Sequence, residues 1–534
     1  MSNWATILKK IQRLPAFTLP LSVAFVYLAS RLFKLTALPV FADESIYIRW
    51  AQLLRHDPQQ YLYFALNDGK PPLFIWSIAS ILGLGADPLW LARLISVVVG
   101  GAQLLVSDRI LKALGGNNQA RLAQMVIMVL APFWFFHQRM ALMDAMLVLW
   151  LSVSWLGVIQ LDKHLNKNGL AKKNISFANI SFAVILTGSA WGLALWTKVP
   201  AIFFAGVIFG WTYFSSLFSQ SPWKDFSTRL IVYRSLAFGL AGLLGLAIFA
   251  LLKLQPAFGS LFGRGSDFTF TLQDVLQGEW KTSLSNGGRF FQWLSTYLRP
   301  EIVTLPFIAA LLSKKRSLHW KILASAAVMA LPLIIMGKTV HPRYYLPVAP
   351  FFTVSAALFI GEIWKSVKKS TDSLFPLTFW LLVLSFLIGS LRFMLLSYFT
   401  PDQTPFVLHD REQYLTEWSS GHGIPQLRQA MIDQVKNGQR LTVVTEGSFG
   451  TLPDGILMYF DNRPEIQYLK IEGLAQYPVK FLPDWTWEEA KDHPVWLVVN
   501  EHRMQVPLDN LKLIARYPRP YGAPELQVYE LLPK

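Results

Sequence analysis

The chain is built from apolar runs of the length that crosses a bilayer, and this constrains its fold more than any other feature. A spanning helix needs roughly 20 mostly apolar residues. Runs of about that reach lie at 16–38, 90–108, 121–137, 140–160, 178–197, 199–218, 232–253, 299–313, 319–337, 344–363 and 375–397. They predict a polytopic α-helical membrane protein with about eleven transmembrane helices. The apolar stretch Pro72–Leu84 is shorter and is followed by glycine, so it reads as a re-entrant or interfacial helix. Composition agrees. Only 15% of the 534 residues are charged and 53% are hydrophobic, whereas a soluble domain carries about 25% charged residues. A soluble enzyme, a disordered chain and a fibrous chain are thereby excluded.

The charge is distributed as a membrane topology requires. Residues 1–397 hold 36 Lys and Arg against 15 Asp and Glu, and residues 398–534 hold 13 against 18. The basic excess sits in alternate loops. It comprises Lys9, Lys10 and Arg13; Arg109, Lys112 and Arg121; Lys163, Lys167, Lys172 and Lys173; Lys224, Arg229 and Arg234; Lys314, Lys315, Arg316 and Lys321; and Lys365, Lys368 and Lys369. By the positive-inside rule these loops are cytoplasmic, and the odd helix count puts residues 398–534 outside. No nucleic-acid motif accompanies the basic total, so nucleic acid is not an expected partner. There is no cysteine, which excludes disulfides, Cys-based zinc sites and a thiol nucleophile. No cleavable signal peptide is evident, and the first span reads as retained.

Two domains follow. Residues 1–397 form the membrane domain, with long outer loops at 39–89 and 254–298. Residues 398–534 form an extracytoplasmic soluble α/β domain. In that tail Ile424–Lys436 reads as a helix stopped at Gly438. Leu441–Thr445, Ile456–Phe460, Ile466–Leu469, Val495–Val499, Leu511–Tyr517 and Leu526–Leu531 read as strands.

The residues able to do chemistry cluster at the outer side. Asp43-Glu44 follows the first span, and paired carboxylates there suit a proton acceptor or a cation ligand. The same residues read equally well as the N-cap of a surface helix. Lys70, stiffened in place by Pro71-Pro72, suits a lipid phosphate, or simply snorkels. Asp144 lies one turn into the fourth span, where an acid is a functional candidate unless it pairs with Arg139 or a neighbouring helix. Lys198 poses the same question. His341-Pro342-Arg343-Tyr344 begins the tenth span, where Arg and His hold phosphates but Tyr and Arg also anchor interfaces. Arg264, Arg289 and Arg299 could complete a basic funnel.

These pieces suit transfer of a sugar from a lipid phosphate to a hydroxyl: a carboxylate takes the proton while basic groups stabilise the departing phosphate. A lipid-linked sugar transporter or flippase, and a non-catalytic glycolipid-assembly partner, are the competing classes. No clear internal repeat supports the transporter.

In order and placement, Asp43-Glu44, Tyr47, Lys70-Pro71-Pro72-Leu73, Arg93-Leu94, Asp144, Lys198, Arg343-Tyr344 and Leu346-Pro347 resemble the GT-C glycosyltransferases of the protein mannosyltransferase and aminoarabinose transferase type, glycosyltransferase family 39 and its relatives. The resemblance covers roughly residues 15–400. Trp418-Ser-Ser-Gly and Thr445-Glu-Gly-Ser-Phe-Gly-Thr-Leu-Pro-Asp-Gly resemble the outer domains of some bacterial members. The resemblance implies an inverting membrane enzyme, in a bacterial plasma membrane, using a polyprenyl-phosphate sugar donor and a lipid, glycan or protein acceptor. It implies Asp43 as base, with Glu44 beside it, Asp144 as the second acid, and Lys70 on the donor phosphate with Arg343 and His341 assisting. Tyr47, Arg49, Lys198, Tyr344, Arg264 and Arg289 are substrate-binding candidates. Aminoarabinose transferases carry an arginine three residues after the first acid; Ile46 stands there, and Arg49 is the candidate replacement. Metal use varies in the superfamily, so a divalent cation between Asp43 and Asp144 is compatible with the resemblance but not required by it.

Overall fold

A computed structural model describes residues 18–165, 177–217, 228–370 and 374–533. Of the basic residues assigned to inner loops, Lys9, Lys10, Arg13, Lys167, Lys172, Lys173 and Lys224 lie outside the described residues.

The membrane part begins with α1 (Thr18–Leu32), followed by α2 (Ala42–His56) and α3 (Leu73–Ile81) in the first long loop. The bundle continues through α4 (Pro88–Ala113), α5 (Asn118–Leu130), α6 (Met143–His164), α7 (Phe177–Thr197), α8 (Ala205–Leu217) and α9 (Thr228–Ala250). After the second long loop, which carries α10 (Trp280–Leu298), come α11 (Pro300–Leu312), α12 (Arg316–Met336), α13 (Ala349–Lys369) and α14 (Leu374–Phe399). Among the described residues seven helical stretches are long and apolar enough to cross a membrane, and Ser22–Leu32, Val199–Trp211 and Pro300–Leu312 are shorter apolar helices at the places of the first, sixth and eighth expected spans. The third expected span is broken at Ala131. Pro132 lacks an N–H and starts a separate short helix, Pro132–His137.

Small residues let the helices close on one another. On α7, a Cβ added at Gly188 would lie 2.5 Å from the Ala241 carbonyl oxygen of α9, and one at Gly192 would lie 2.7 Å from the Ile248 Cβ. Such contact replaces the hydrophobic drive that lipid cannot supply.

The two ends of the bundle differ. At one end several of the basic loop residues are neutralised locally. Arg121 meets Asp108 at 2.5 Å, while Lys321 and Arg234 meet Asp162 at 2.8 and 3.5 Å. At the other end the two long loops and the tail meet. Arg264 of the second loop pairs with Asp68 of the first at 2.7 Å. The Ala42 amide donates to the Ser419 carbonyl at 2.9 Å, and the Gly421 amide to the Val40 carbonyl at 2.8 Å. The tail thus adds a bridge of backbone to the entrance of α2.

The tail packs α15 (Ile424–Val435) on a five-stranded sheet of order β2-β1-β3-β5-β4, made of β1 (Leu441–Thr445), β2 (Leu469–Gly473), β3 (Val495–Asn500), β4 (Leu511–Tyr517) and β5 (Leu526–Leu531). β1 runs parallel to β2 and β3, and β5 antiparallel to β3 and β4. Two expected strands are corrected. Ile456–Phe460 overlaps a helical turn, Asp454–Leu457, held where the Gly450 amide donates to Asp454 at 2.8 Å. Ile466–Leu469 lies largely in a 3₁₀ turn opened by Pro464, and the strand begins only at Leu469. Short apolar runs read alike for helix and strand; the flanking proline and capping residue decide.

Candidate active site

The carboxylates of Asp43 and Glu44 point to different environments although they are sequence neighbours. Successive residues of a helix turn about 100° apart, so the first turn of α2 sends one inward and one toward the cleft. Glu44 is fully buried, whereas the Asp43 side chain keeps 24% of its surface exposed. Both Glu44 oxygens are committed. They accept from Arg93 Nε at 2.8 Å and Nη2 at 2.7 Å, from the Ala141 amide at 2.6 Å and from the Phe41 amide at 3.0 Å. The remaining Arg93 donors reach the carbonyls of Leu35, Leu38 and Pro39, each at 3.0 Å. Glu44 is therefore a clamp joining the loop to α4 and to the turn before α6, which corrects its expected place beside Asp43 in catalysis. The cap of α2 also belongs to Glu44 rather than Asp43, since it is Glu44 that accepts from the Phe41 amide.

Asp43 Oδ2 accepts from Arg343 Nη2 at 3.0 Å. Burial would push this carboxyl up. The nearby Arg343, with Lys70 and Lys198, outweighs that and holds it below the usual carboxylate range. Arg343 is itself fixed from the tail: Nη1 donates to Gln413 Oε1 at 2.6 Å and to the Tyr414 hydroxyl at 3.4 Å. Gln413 Nε2 in turn lies 2.7 Å from His341 Nδ1. Burial, helped by Arg343, pushes His341 down to about 3, so its ring is neutral. A neutral ring held by an amide is a support for Gln413 and brings no charge to the donor-phosphate role expected of His341.

The second acid, Asp144, is only 4% exposed and meets Lys198 Nζ at 2.8 Å. Lys198 also lies over the Tyr344 ring, 4.5 Å from its centroid. Arg139 takes no part. Its guanidinium donates to the carbonyls of Ser30, Arg31, Phe33 and Lys34 at 2.7–3.0 Å, tying off the end of α1. Tyr47 is buried near both acids: burial, then Asp43, and further on Asp144, raise its phenol well above the ordinary value. Lys70 stands over the Tyr47 and Trp50 rings at 5.4 and 5.3 Å and meets Asp68 at 2.7 Å. Asp68, through its other oxygen, also holds Arg264 at 2.7 Å, so Arg264 braces the Lys70 turn. Gly69, at φ +71°, makes that turn without a Cβ penalty.

Two expected residues point elsewhere. Arg49 pairs with Asp461 of the tail at 3.3 Å and does not replace the arginine missing at Ile46, which is buried. Arg289, half-buried on α10, lies near His409, where after burial it helps hold that ring below its ordinary value. The divalent-cation place between Asp43 and Asp144, which the resemblance leaves open without requiring it, does not fit these residues. Asp43 and Asp144 are each paired with a basic side chain, and among the described residues no three His, Asp or Glu side chains converge as ligands.

Sequence reasoning missed the contribution of the tail: Gln413, Tyr414 and Asp410. Asp410 is buried, accepts from the Tyr297 hydroxyl at 2.5 Å, and is pushed by burial up to about 7. His137 was missed too. It is buried, with neither ring nitrogen hydrogen-bonded. The run His409-Asp410-Arg411-Glu412-Gln413 reads only as a polar linker. Nothing in it signals a return to the membrane domain.

The family model for dolichyl-phosphate-mannose-protein mannosyltransferase matches residues 55–256, the stretch holding Lys70, Arg93, Asp144 and Lys198. No curated protein matches the chain. ArnT from Cupriavidus metallidurans in the apo state superposes with a TM-score of 0.56 and 15% identity, over 99% of this chain and 98% of that one. The same protein bound to undecaprenyl phosphate gives 0.55 and 16%, over 96% and 97%. The Archaeoglobus fulgidus oligosaccharyltransferase tethered with an acceptor peptide gives 0.54 and 11%, over 95% and 73%. At such identities the likeness is one of fold. The fold is that of ArnT and the oligosaccharyltransferase, which agrees with the GT-C-like fold the sequence resemblance implied.

Proposed function

We propose, from the GT-C fold and the arrangement of Asp43, that this chain is an inverting glycosyltransferase. It would move a sugar from a polyprenyl-phosphate donor to a hydroxyl of a lipid, glycan or protein acceptor. One observation carries the reading: a partly open carboxylate, Asp43, sits in a field of Arg343, Lys70 and Lys198, with Asp144 close by. A transporter has no need of a base held this way among phosphate-binding cations. The fold supports the same choice, because a structure of similar fold holds undecaprenyl phosphate.

The chemistry follows from the charges. The acceptor hydroxyl gives its proton to Asp43 as its oxygen attacks the anomeric carbon. The bond from that carbon to the phosphate oxygen breaks, and its electrons stay on the polyprenyl phosphate. Lys70 and Arg343 stabilise the departing charge. Donor phosphate competes with Asp43 for Arg343. Binding therefore loosens the 3.0 Å pair and makes the carboxylate more basic when the acceptor arrives. Tyr344, stacked under Lys198, and Tyr47 wall the sugar place. The long loops and tail would face the outside of a bacterial plasma membrane, with the neutralised basic end in the cytoplasm.

The test is release of polyprenyl phosphate from lipid-linked sugars by the purified protein in detergent, with Asp43→Asn as control. Release by the wild type alone supports the reading. Equal release by both proteins would refute the assignment of Asp43, and movement of intact sugar-lipid without cleavage would refute transfer.

A further inference from the structure

A second groove opens on the lipid-facing side of α14, mostly apolar in its lining but with a cluster of polar side chains at one end, and the reaction above does not use it. Its cavity, about 660 Å³, lies between the end of α10, the start of α11 and α14. Arg299, Arg392, Gln292 and Thr296 line it. Arg392 is exposed on an apolar helix, seven residues before its end at Phe399, and has no ion-pair partner among the described residues. Arg299 is held at φ +75°, an unfavourable backbone for a residue with a Cβ. Its guanidinium lies across Gly389, where any Cβ would strike it, and Arg392 follows one turn later on the same helix. Its Nε is buried without a hydrogen bond, and the nearest acid, Glu301 Oε2, is 3.8 Å away. Ser385 donates to the other Glu301 oxygen.

Beside this polar end lies an almost wholly apolar trough of about 240 Å³. It is bounded by Glu301 and Ile302 and runs along Leu382 and Phe386 of the same helix. A charged head place above an apolar trough is the outline of a membrane lipid. An arginine facing hydrocarbon is costly unless an anion meets it. Two guanidinium groups against one carboxylate leave a net positive head place, which matches a lipid whose headgroup carries net negative charge.

We propose that this groove seats one anionic phospholipid, its phosphate on Arg299 and Arg392 and an acyl chain along Leu382 and Phe386. The groove also reaches Pro132 and Pro405, which flank the segments carrying His137 and Gln413. The bound lipid would therefore brace the linker that enters the active site. The proposal does not depend on the transfer reaction, because it is tested by binding alone.

The experiment is native mass spectrometry of the delipidated full chain in detergent, titrated with dioleoyl phosphatidylglycerol or dioleoyl phosphatidylcholine. The wild type is expected to retain one phosphatidylglycerol about tenfold more tightly than phosphatidylcholine. Arg392→Gln and Arg299→Gln are each expected to remove that preference. Arg392→Gln alone suffices if Arg299→Gln does not fold. Equal retention of the two lipids by the wild type, or an undiminished preference in Arg392→Gln, would overturn the proposal. So would displacement of phosphatidylglycerol by equimolar undecaprenyl phosphate, which would mark a second donor seat, or by millimolar inorganic phosphate, which would mark a simple anion site.

Discussion

The two faces of α2 solve opposite problems with the same chemistry. On one face Glu44 and Arg93 form an ion pair with both side chains essentially dry, at 2.7 Å. On the other, Asp43 and Arg343 form a pair at 3.0 Å whose acid is 24% exposed. The first pair has every oxygen filled by fixed donors and can only hold the fold together. The second leaves carboxylate surface open and ties its arginine to a side chain of the tail. Exposure and the identity of the surrounding donors, and not the type of residue, separate a clamp from a candidate base.

That contrast breaks most visibly in activity. Asp43→Asn is expected to lower the transfer rate by roughly 10³-fold while detergent thermal melting stays near wild type, because Arg343 keeps Gln413. A melt as low as that of a Glu44 variant would make Asp43 a second clamp. Glu44→Gln should do the reverse. Leaving Arg93 buried without its anion costs about 3–5 kcal/mol, read as a large drop in melting temperature and yield. A stable but inactive Glu44→Gln would restore Glu44 to catalysis.

The tail's share in the open face gives a smaller effect. Gln413→Ala should lower kcat about tenfold with KM nearly unchanged, because Arg343 loses its 2.6 Å partner but keeps its charge. A pure loss of stability with normal kcat in the folded fraction would reduce Gln413 to packing.

The smallest effect is on pH dependence. Asp410 is buried and its carboxyl is raised to about 7. Its protonated form contributes stability that is whole below the ordinary carboxylate value near 4 and is lost as pH rises through about 7. Asp410→Asn should flatten the melting temperature between pH 4 and 7, by about 2–4 °C per kcal/mol of linkage removed. An unchanged slope would place the titration elsewhere.

The spans were legible because hydrocarbon imposes a length and an apolar content on any helix that crosses it. The exception is instructive. The run 121–137 is mostly apolar, but Pro132 breaks it into two helices, and the buried His137 ends the second. The candidate residues of the first loop, Asp43, Tyr47 and Lys70, were legible as a cluster because they are close in sequence. Their partners were not. Arg343 lies 300 residues from Asp43, and Lys198 lies 54 from Asp144. Local pattern carries no information on such pairings.

What the sequence determined alone was the bundle, the alternation of basic loops and the end at which acids and aromatics gather, because solvation acts on each residue wherever it sits. What only the tertiary structure decided was which of two adjacent carboxylates faces the cleft, that Arg49 serves the tail, and that Gln413 reaches back to Arg343. Those outcomes depend on which donors arrive from distant segments within about 3 Å, and hydrogen bonding is too short-ranged to be read before the chain has closed on itself.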